Sequence, residues 1–307
     1  MVDKSKRFEL IHEIMSTRGN ILDLNDLCQT AGVSRSGYYK WIRSEDVRRE
    51  KEEKDRADFE LVLEAFKHRG YDKGVRGINM YLLHRNPQII MNPKKIRRLM
   101  HKYGLLCPIR KANPYRRMAA ALKTSNYADN LVKREFEQHG PRMILLTDIT
   151  YLPYNDTFAY LSTIIDGFTK QVLSYVLSEN LKVDFVLQTV EQLLENHGIS
   201  LSKETIIHSD QGAHYSSCRF IEIVNNYNLR QSMSRRGNCW DNAPQESFFG
   251  HMKDEIDISQ CIDFAEVKYK IDDWIQYYND ERYQWQLAKL SPNQYYDYVT
   301  TGKYPLA

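Results

Sequence analysis

Residues 142–180 have the sequence RMILLTDITYLPYNDTFAYLSTIIDGFTKQVLSYVLSEN. This stretch contains three runs rich in Ile, Leu, Val and Tyr, which are separated by the turn residues Asn155-Asp156 and Gly167. Short runs of this kind between turn residues are typical of strands that are joined as hairpins. The stretch therefore predicts three successive hairpin-like strands.

Helical and strand patterns alternate after these strands. In chain order they are an amphipathic helix at 183–197, the strand TIIHSD at 205–210, a helix near 217–227, a short strand near 229–233, a helix from 243 and helices rich in Tyr and Trp at 264–281. Three hairpin-like strands followed by alternating helices and strands predict an α/β fold with a five-stranded sheet of mixed direction.

The N-terminal residues 5–44 are predicted to form short helices. Within them, LNDLCQTAGVSRSGYYKWI (24–42) has a helix, a turn at Gly32, a cap at Ser34 and a second helix. This order resembles a helix-turn-helix, in which the second helix would contact DNA. The residues that it would present are Arg35, Ser36, Tyr39 and Lys40. Helix-turn-helix units also occur as plain structural hairpins, so both interpretations stay open.

The two halves of the chain carry opposite net charge. Residues 1–138 contain 29 Lys+Arg and 18 Asp+Glu, whereas residues 139–307 contain 14 and 22. Within 65–123 there are 15 basic residues and one acid, Asp72. A basic segment beside an acidic domain is common in nucleic-acid enzymes that have a metal site. We therefore expect a nucleic acid as a partner.

A second helical module is predicted over about 65–110, and its last helix is clearly delimited. Asn92 can cap this helix, Pro93 suits its first position, and Gly104 follows its end. The expected buried stripe is formed by Ile96, Leu99, Met100 and Tyr103. Five cations cover the remaining faces: Lys94, Lys95, Arg97, Arg98 and Lys102. We interpret these cations as contacts to DNA phosphates.

Two stretches flank this module as connectors. Residues 45–64 combine dense mixed charge with little apolar face, which predicts a solvated connecting helix. Residues 111–138 are expected to be a linker. The basic run at its start provides further candidates for DNA contact, namely Arg110, Lys111, Arg116 and Arg117.

The spacing of the cysteines and the lengths of the apolar runs indicate the compartment of the protein and whether it contains a structural metal. The five cysteines are scattered and form no CxxC pair, so neither a zinc knuckle nor a disulfide framework is predicted. No run approaches the roughly eighteen apolar residues of a membrane span, and the N-terminal MVDKSKRFEL lacks a signal-peptide core. We therefore expect a cytoplasmic protein.

Two aspartates lie in unusual strand contexts. Asp148 lies in a strand whose residues are apolar on both faces, and Ile144 and Leu146 are on its own face. Burying a carboxylate there is costly in free energy unless it is paired or metal-bound. Asp210 ends the apolar strand that precedes it, where ligand groups of α/β sheets usually lie. Both positions therefore favour a functional carboxylate.

The third candidate carboxylate, Glu246, lies at the start of a helix. Asn242 can cap this helix, Pro244 fits its first turn, and Gln245 can reach back in a capping box. Helical spacing puts Lys253 on the same face as Glu246. The buried face would be formed by Phe248, Met252 and Ile256. Three converging carboxylates are what two divalent cations need for phosphoryl transfer, although the spacing of Asp210 and Glu246 alone is a weak signal.

Four stretches resemble one known family. They are TDITYLP (147–153), IIHSDQGAHYSS (206–217), SMSRRGNCWDNAPQESFFGHMKDE (232–255) and YYNDERYQWQLAKLSPNQYYDY (277–298). These stretches are similar to the DDE transposases of bacterial insertion sequences, and specifically to the OrfB subunit of the insertion-sequence-three family, within the retroviral integrase superfamily. The resemblance extends over nearly the whole chain. The chain departs from the family at Met143-Ile144, where family members often have an aromatic residue. It also lacks the zinc-binding module of retroviral integrases.

The resemblance implies a fold and a reaction. The fold would be a ribonuclease H-like integrase catalytic core, preceded by an all-α helix-turn-helix region. The D,D(35)E triad of the family corresponds to Asp148, Asp210 and Glu246, which would bind two Mg²⁺ (or Mn²⁺) and catalyse DNA strand cleavage and strand transfer. The basic residue seven positions after the Glu corresponds to Lys253. The loop before the Glu helix would contact DNA through Arg235 and Arg236.

The resemblance also implies a domain order. Its parts are a helix-turn-helix-like DNA-binding region (1–50), a second basic helical module (51–112), a linker (113–138), the catalytic core (139–260) and a C-terminal helical tail (261–307).

The resemblance further implies partners and a location. The partners would be the terminal inverted repeats of the element, target DNA, further copies of the chain in a dimer or higher oligomer, and possible fusion to an upstream-frame protein. The location would be the bacterial cytoplasm, at the nucleoid, without a membrane partner. Two alternatives stay open, which are a non-catalytic helix-turn-helix regulator and a metal nuclease that cleaves without joining.

Overall fold

The computed structural model describes residues 3–18, 20–70, 73–107, 131–132, 139–234 and 243–306. The chain forms two compact units. The first contains residues 1–65 and 94–106, and the second contains residues 66–93 and 107–307. No helix among the described residues is both long and apolar enough to cross a membrane.

The secondary structure follows the order expected from the sequence. The helices are α1 (Lys4–Ser16), α2 (Leu24–Thr30), α3 (Arg35–Arg43), α4 (Glu45–Lys67), α5 (Val75–His84), α6 (Pro93–Lys102), α7 (Val183–His197), α8 (Cys218–Asn226), α9 (Ala243–Glu255), α10 (Phe264–Asp280) and α11 (Pro292–Thr301). The strands are β1 (Ile144–Tyr154), β2 (Thr157–Asp166), β3 (Val172–Ser178), β4 (Ile206–Ser209) and β5 (Arg230–Met233).

The first three helices form the expected helix-turn-helix arrangement. Gly32 has a φ of 64° in the turn between α2 and α3, a conformation that glycine adopts without steric cost. The hydroxyl of Ser34 then caps α3 by accepting the N–H of Gly37 at 3.1 Å. Ile11 and Tyr38 lie at the centre of the small core that these helices share. The expected all-α region before the sheet is therefore confirmed.

An ion-pair cluster joins α4 to α6 within the first unit. Arg98 bonds both carboxylate oxygens of Asp55, at 2.6 and 2.7 Å, and Lys102 bonds Asp55 at 2.7 Å and Glu52 at 2.5 Å. Lys95 pairs with Asp58. Most positions of 45–64 are exposed, as the prediction of a solvated helix requires, but one face departs from it, because Asp55 is only 4% exposed and its charge is satisfied by α6.

The second unit is built on the predicted mixed five-stranded sheet, in the order β3-β2-β1-β4-β5. The three strands of residues 142–180 pair antiparallel, whereas β4 pairs parallel to β1 and β5 parallel to β4. Helices cover both faces of the sheet. One face packs against α9 and α10, around Leu152, Leu161 and Trp274. The other packs against α7 and α8, around Leu145 and Phe220.

The C-terminal end of α9 is fixed by buried polar contacts. Glu255 accepts three hydrogen bonds from the guanidinium of Arg282, at 2.7 to 3.2 Å, and a fourth from the indole N–H of Trp274 at 3.0 Å. Arg282 and Glu255 are both largely buried. A buried, hydrogen-bonded ion pair of this kind restricts α9 to one orientation over the sheet.

Candidate active site

Parallel pairing brings Asp148 and Asp210 to the same level of the sheet. The β1–β4 register pairs Ile144 with Ile206 and Leu146 with His208. Continuing that register by two residues sets Asp210, just after β4, beside Asp148. Adjacent strands lie about 4.8 Å apart, and residues at the same level point to the same face. The two aspartates are therefore neighbours at the centre of the sheet, on the face that packs against α9.

A tight turn holds the carboxylate of Asp210. Its Oδ1 accepts the backbone N–H of Gly212 at 2.8 Å. A Cβ at position 212 would lie 2.9 Å from that same oxygen, closer than such atoms normally approach. The glycine is therefore needed for Asp210 to keep this position. On Asp148 the equivalent contact is the N–H of Ile149, which donates to Oδ1 at 2.8 Å.

The third carboxylate is carried by the first turn of α9. Glu246 is exposed there, and Lys253 is exposed two turns further along the helix. Phe248 and Met252 form the buried face that the sequence predicts. Ile256 lies just after the helix and packs against the same core.

Gln245 does not cap α9 as the sequence suggested. Its side chain is fully buried, and its Nε2 donates a hydrogen bond to Oγ1 of Thr163 on β2. The expected capping box was therefore wrong, because the amide turns toward the sheet rather than back along the chain. Asn242, the expected N-cap, lies outside the described residues.

Burial and neighbouring charges raise the pKa of Asp148. Burial contributes most to the pKa of Asp148, which rises to about 8, and the charges of Asp210 and Glu246 raise it further. The N–H of Ile149 and the ammonium group of Lys253 act in the opposite direction. The charges that act on Asp148 thus include both other candidate carboxylates and Lys253.

Two residues that the sequence did not single out lie close to the aspartates. The hydroxyl of Tyr215 is buried, and it lies 3.5 Å from Oγ1 of Thr147. Burial is the main cause that raises the pKa of Tyr215, and the charges of Asp148 and Asp210 raise it further. Alternation along a strand predicts buried side chains but does not identify which helix or loop residues approach them, so no sequence signal identified Tyr215. His208, two residues before Asp210, is fully buried and bonds Ser232 at 2.9 Å.

The donor chemistry fits a divalent cation. Carboxylate oxygens are the ligands that Mg²⁺ and Mn²⁺ prefer, and a cation among them would relieve the repulsion that raises the pKa of Asp148. The described side chains alone do not enclose such an ion, because no three His, Cys, Asp or Glu among them form a ready-made ligand group. Glu246 lies only a few residues after the segment 235–242, which the structure does not describe.

The candidate DNA contacts divide into three sets. Arg35 and Lys40 are exposed on α3, and Lys94 and Arg97 are exposed on α6. The other cations of α6 belong to the ion-pair cluster with α4: Lys95, Arg98 and Lys102. The remaining candidates lie outside the described residues: Arg110, Lys111, Arg116, Arg117, Arg235 and Arg236.

Family models match three segments of the chain. Residues 138–239 and 227–292 match integrase core domains, and residues 52–113 match an HTH-like domain. The first of these matches spans both aspartates, and the second spans α9. Among solved structures, the catalytic core domain of HTLV-2 integrase in complex with magnesium is similar, with 17% identity over 51% of this chain and 97% of that chain and a TM-score of 0.38.

Bacterial transposases are similar over most of the chain. The InsK protein of insertion sequence element IS150 from Escherichia coli (strain K12) is 31% identical, covering 89% of this chain and 93% of that protein. The transposase for IS904 from Lactococcus lactis is 31% identical over 80% of this chain and 97% of that protein. Transposase InsF for IS3A from Escherichia coli is 29% identical over 75% and 77%. The chain belongs to the insertion-sequence-three family of transposases with an integrase core domain.

Proposed function

We propose that residues 139–260 catalyse metal-dependent DNA strand cleavage and strand transfer through Asp148, Asp210 and Glu246. The observation that supports this proposal best is the β1–β4 register, which puts Asp210 beside Asp148, a carboxyl whose pKa is raised to about 8 by burial and by the charges of Asp210 and Glu246. Groups that perturb one another in this way are typical of catalytic sites.

Asp148, Asp210 and Glu246 would hold the divalent cations, two Mg²⁺ or Mn²⁺. Bound there, the cations would supply activation of the attacking oxygen and charge stabilisation of the leaving 3′ oxygen. The protein's own task is to hold three oxygen donors in place, which the strand pairing of Asp148 and the turn at Gly212 accomplish for two of them. Lys253, two turns after Glu246, would bind a DNA phosphate beside the carboxylates.

The reaction needs no covalent protein intermediate. In the first step water breaks the bond between phosphorus and the 3′ oxygen at the end of the element and leaves a free 3′-OH. In the second step that hydroxyl attacks another phosphodiester, so one bond from phosphorus to oxygen forms as another breaks. The number of phosphodiester bonds is conserved in the second step: the attacking hydroxyl loses its proton to solvent, and the 3′ oxygen that leaves the attacked strand takes one up as a new 3′-OH.

The N-terminal helices would bind DNA. Lys94 and Arg97 lie exposed on α6, and Arg35 and Lys40 lie exposed on α3. We propose these four as contacts to the DNA backbone, which attracts cations irrespective of sequence. The substrates would be the terminal repeats of an insertion element and a target duplex. They would be joined by two or more copies of this chain or by its fusion to an upstream-frame protein.

A labelled duplex tests the proposal. The full chain is incubated with Mg²⁺ and a labelled duplex that contains a terminal repeat from the DNA flanking the gene. Products longer than the substrate are expected, because joining attaches the labelled end to a second duplex. Shortened products alone would indicate a nuclease, and a mobility shift without new products would indicate a non-catalytic DNA-binding protein. Either of these results would overturn the strand-transfer proposal.

A further inference from the structure

A polar side chain interrupts the buried face of α9 at Gln245. Its neighbours on that face are Phe248, Phe249 and Met252, all of which pack into the core. Gln245 is fully buried at the same face, one position before Glu246. An apolar residue would satisfy the helical pattern there at lower cost, because burying an amide is unfavourable unless it is fully hydrogen-bonded.

The amide of Gln245 lies beside Asp148. Its Nε2 donates to Oγ1 of Thr163, which is itself fully buried. Thr163 is directly opposite Asp148 in the antiparallel β1–β2 pairing. Residues that are directly opposite in such a pair point to the same face, with Cβ atoms about 4.5–5.5 Å apart. The bond to Thr163 therefore fixes the amide next to the first aspartate.

The other end of this amide has no protein partner among the described residues. Oε1 of Gln245 is buried and accepts no hydrogen bond there. Among the described residues, the bond from Nε2 to Thr163 is therefore the hydrogen bond that fixes this amide.

We propose that Gln245 is a positioning residue of the carboxylate site. Its Nε2 ties the first turn of α9 to Thr163 on β2, directly opposite Asp148, and this bond fixes the position of Glu246 relative to Asp148. Such outer hydrogen-bond partners orient the ligands of a metal and strengthen its binding. This inference rests on the proposed function, since it assumes that the three carboxylates bind metal.

The test is Mn²⁺ binding to the full chain without DNA, in which the electron paramagnetic resonance of free Mn²⁺ is recorded during a titration. Gln245→Met keeps the length and helix propensity of the side chain but removes both polar atoms. We expect this variant to bind Mn²⁺ about tenfold or more weakly than the wild type. Ser247→Ala is the matched control, because Ser247 is exposed on the same turn of α9, and its binding should stay within about twofold of the wild type.

Thr163→Val provides the second variant, because it removes the partner hydroxyl while it keeps the shape of the side chain. It should weaken Mn²⁺ binding in the same direction, and the double variant should be no worse than Gln245→Met alone. If Gln245→Met fails to fold, Thr163→Val alone decides the outcome. Variants that fold and bind Mn²⁺ as the wild type does would overturn the positioning role.

The same titration separates this inference from the proposed function. A wild-type protein that binds Mn²⁺ no better than Asp148→Asn would contradict the metal site itself, and the role of Gln245 would be rejected with it. A wild type that binds Mn²⁺ and joins DNA, together with an unaffected Gln245→Met, would contradict the role of Gln245 alone.

Discussion

The side chain of Asn279 bonds both backbone groups of Val172. Its Oδ1 accepts the N–H of Val172 at 3.0 Å, and its Nδ2 donates to the carbonyl of the same residue at 2.9 Å. Val172 begins β3, the edge strand of the sheet. The carboxamide therefore occupies the place of a neighbouring strand, and it attaches α10 to the sheet that holds the aspartates.

Asn279→Ala should destabilise the second unit. The variant leaves the N–H and the carbonyl of Val172 without their partner, at a cost of about 1–3 kcal/mol. Urea unfolding followed by circular dichroism measures the change. Asn225→Ala is a suitable control, because Asn225 is exposed at the end of α8 and should change stability little. Equal midpoints for the two variants would show that the bonds to Val172 contribute nothing.

Removal of any one of the three carboxylates should abolish the chemistry. Asp148→Asn, Asp210→Asn and Glu246→Gln should each lower the rates of cleavage and joining by about a thousandfold or more, since each removes metal-held charge stabilisation worth several kcal/mol. Affinity for the duplex should change by less than about twofold. Glu191→Gln, an exposed position on α7, is the control. Joining at near wild-type rates by any of the three variants would contradict the triad.

The cations of α6 should differ in their effect on DNA binding. Arg97→Ala should lower the dependence of log affinity on log salt concentration by about one, because it removes one phosphate contact. Arg98→Ala should leave this slope nearly unchanged, because Arg98 bonds Asp55. Fluorescence anisotropy with a short labelled duplex at several salt concentrations measures the slope. If Arg98→Ala lowered the slope as much as Arg97→Ala, the division of α6 would be wrong.

Asp55→Asn should destabilise the first unit in a pH-dependent way. Bonds from Arg98 and Lys102 hold the pKa of Asp55 well below its ordinary value of 3.8. A lowered pKa in the folded state gives stability that is present above the unfolded pKa and is lost as the pH falls toward the folded pKa. Wild type should therefore unfold at a higher temperature than Asp55→Asn at pH 7, and the gap should narrow below about pH 4. Calorimetry between pH 3 and pH 7 tests this, and a gap of constant size would contradict it.

The sequence predicted those elements whose pattern is local. Three apolar runs separated by turn residues were sufficient for β1, β2 and β3, and the cap at Ser34 and the glycine at Gly32 delimited α3. Asp148 and Asp210 could be singled out for the same reason, since each interrupts or ends an apolar run. Their closeness could not be predicted from either run, because it depends on the parallel register between β1 and β4.

Contacts between distant segments escaped sequence analysis. The mixed charge of α4 is typical of a solvated helix. The structural role of Asp55 on this helix depends on its bond to Arg98, which lies 43 residues further along the chain. Gln245 fitted a capping motif equally well, but Thr163 lies 82 residues away and competes for the same amide. A polar side chain near a helix start has several possible partners, and packing decides among them.

The interleaving of the two units constrains how this chain can be made and rearranged. Residues 66–93 belong to the second unit although residues 94–106 complete the first. During synthesis the first unit can fold completely only after residue 106 has emerged from the ribosome. Residues 66–93 can complete the second unit only once residues 107–307 have been synthesised. Any single break in the gene leaves at least one unit incomplete. Exchange of one whole unit between relatives would therefore require three crossovers, at 65/66, 93/94 and 106/107, rather than one.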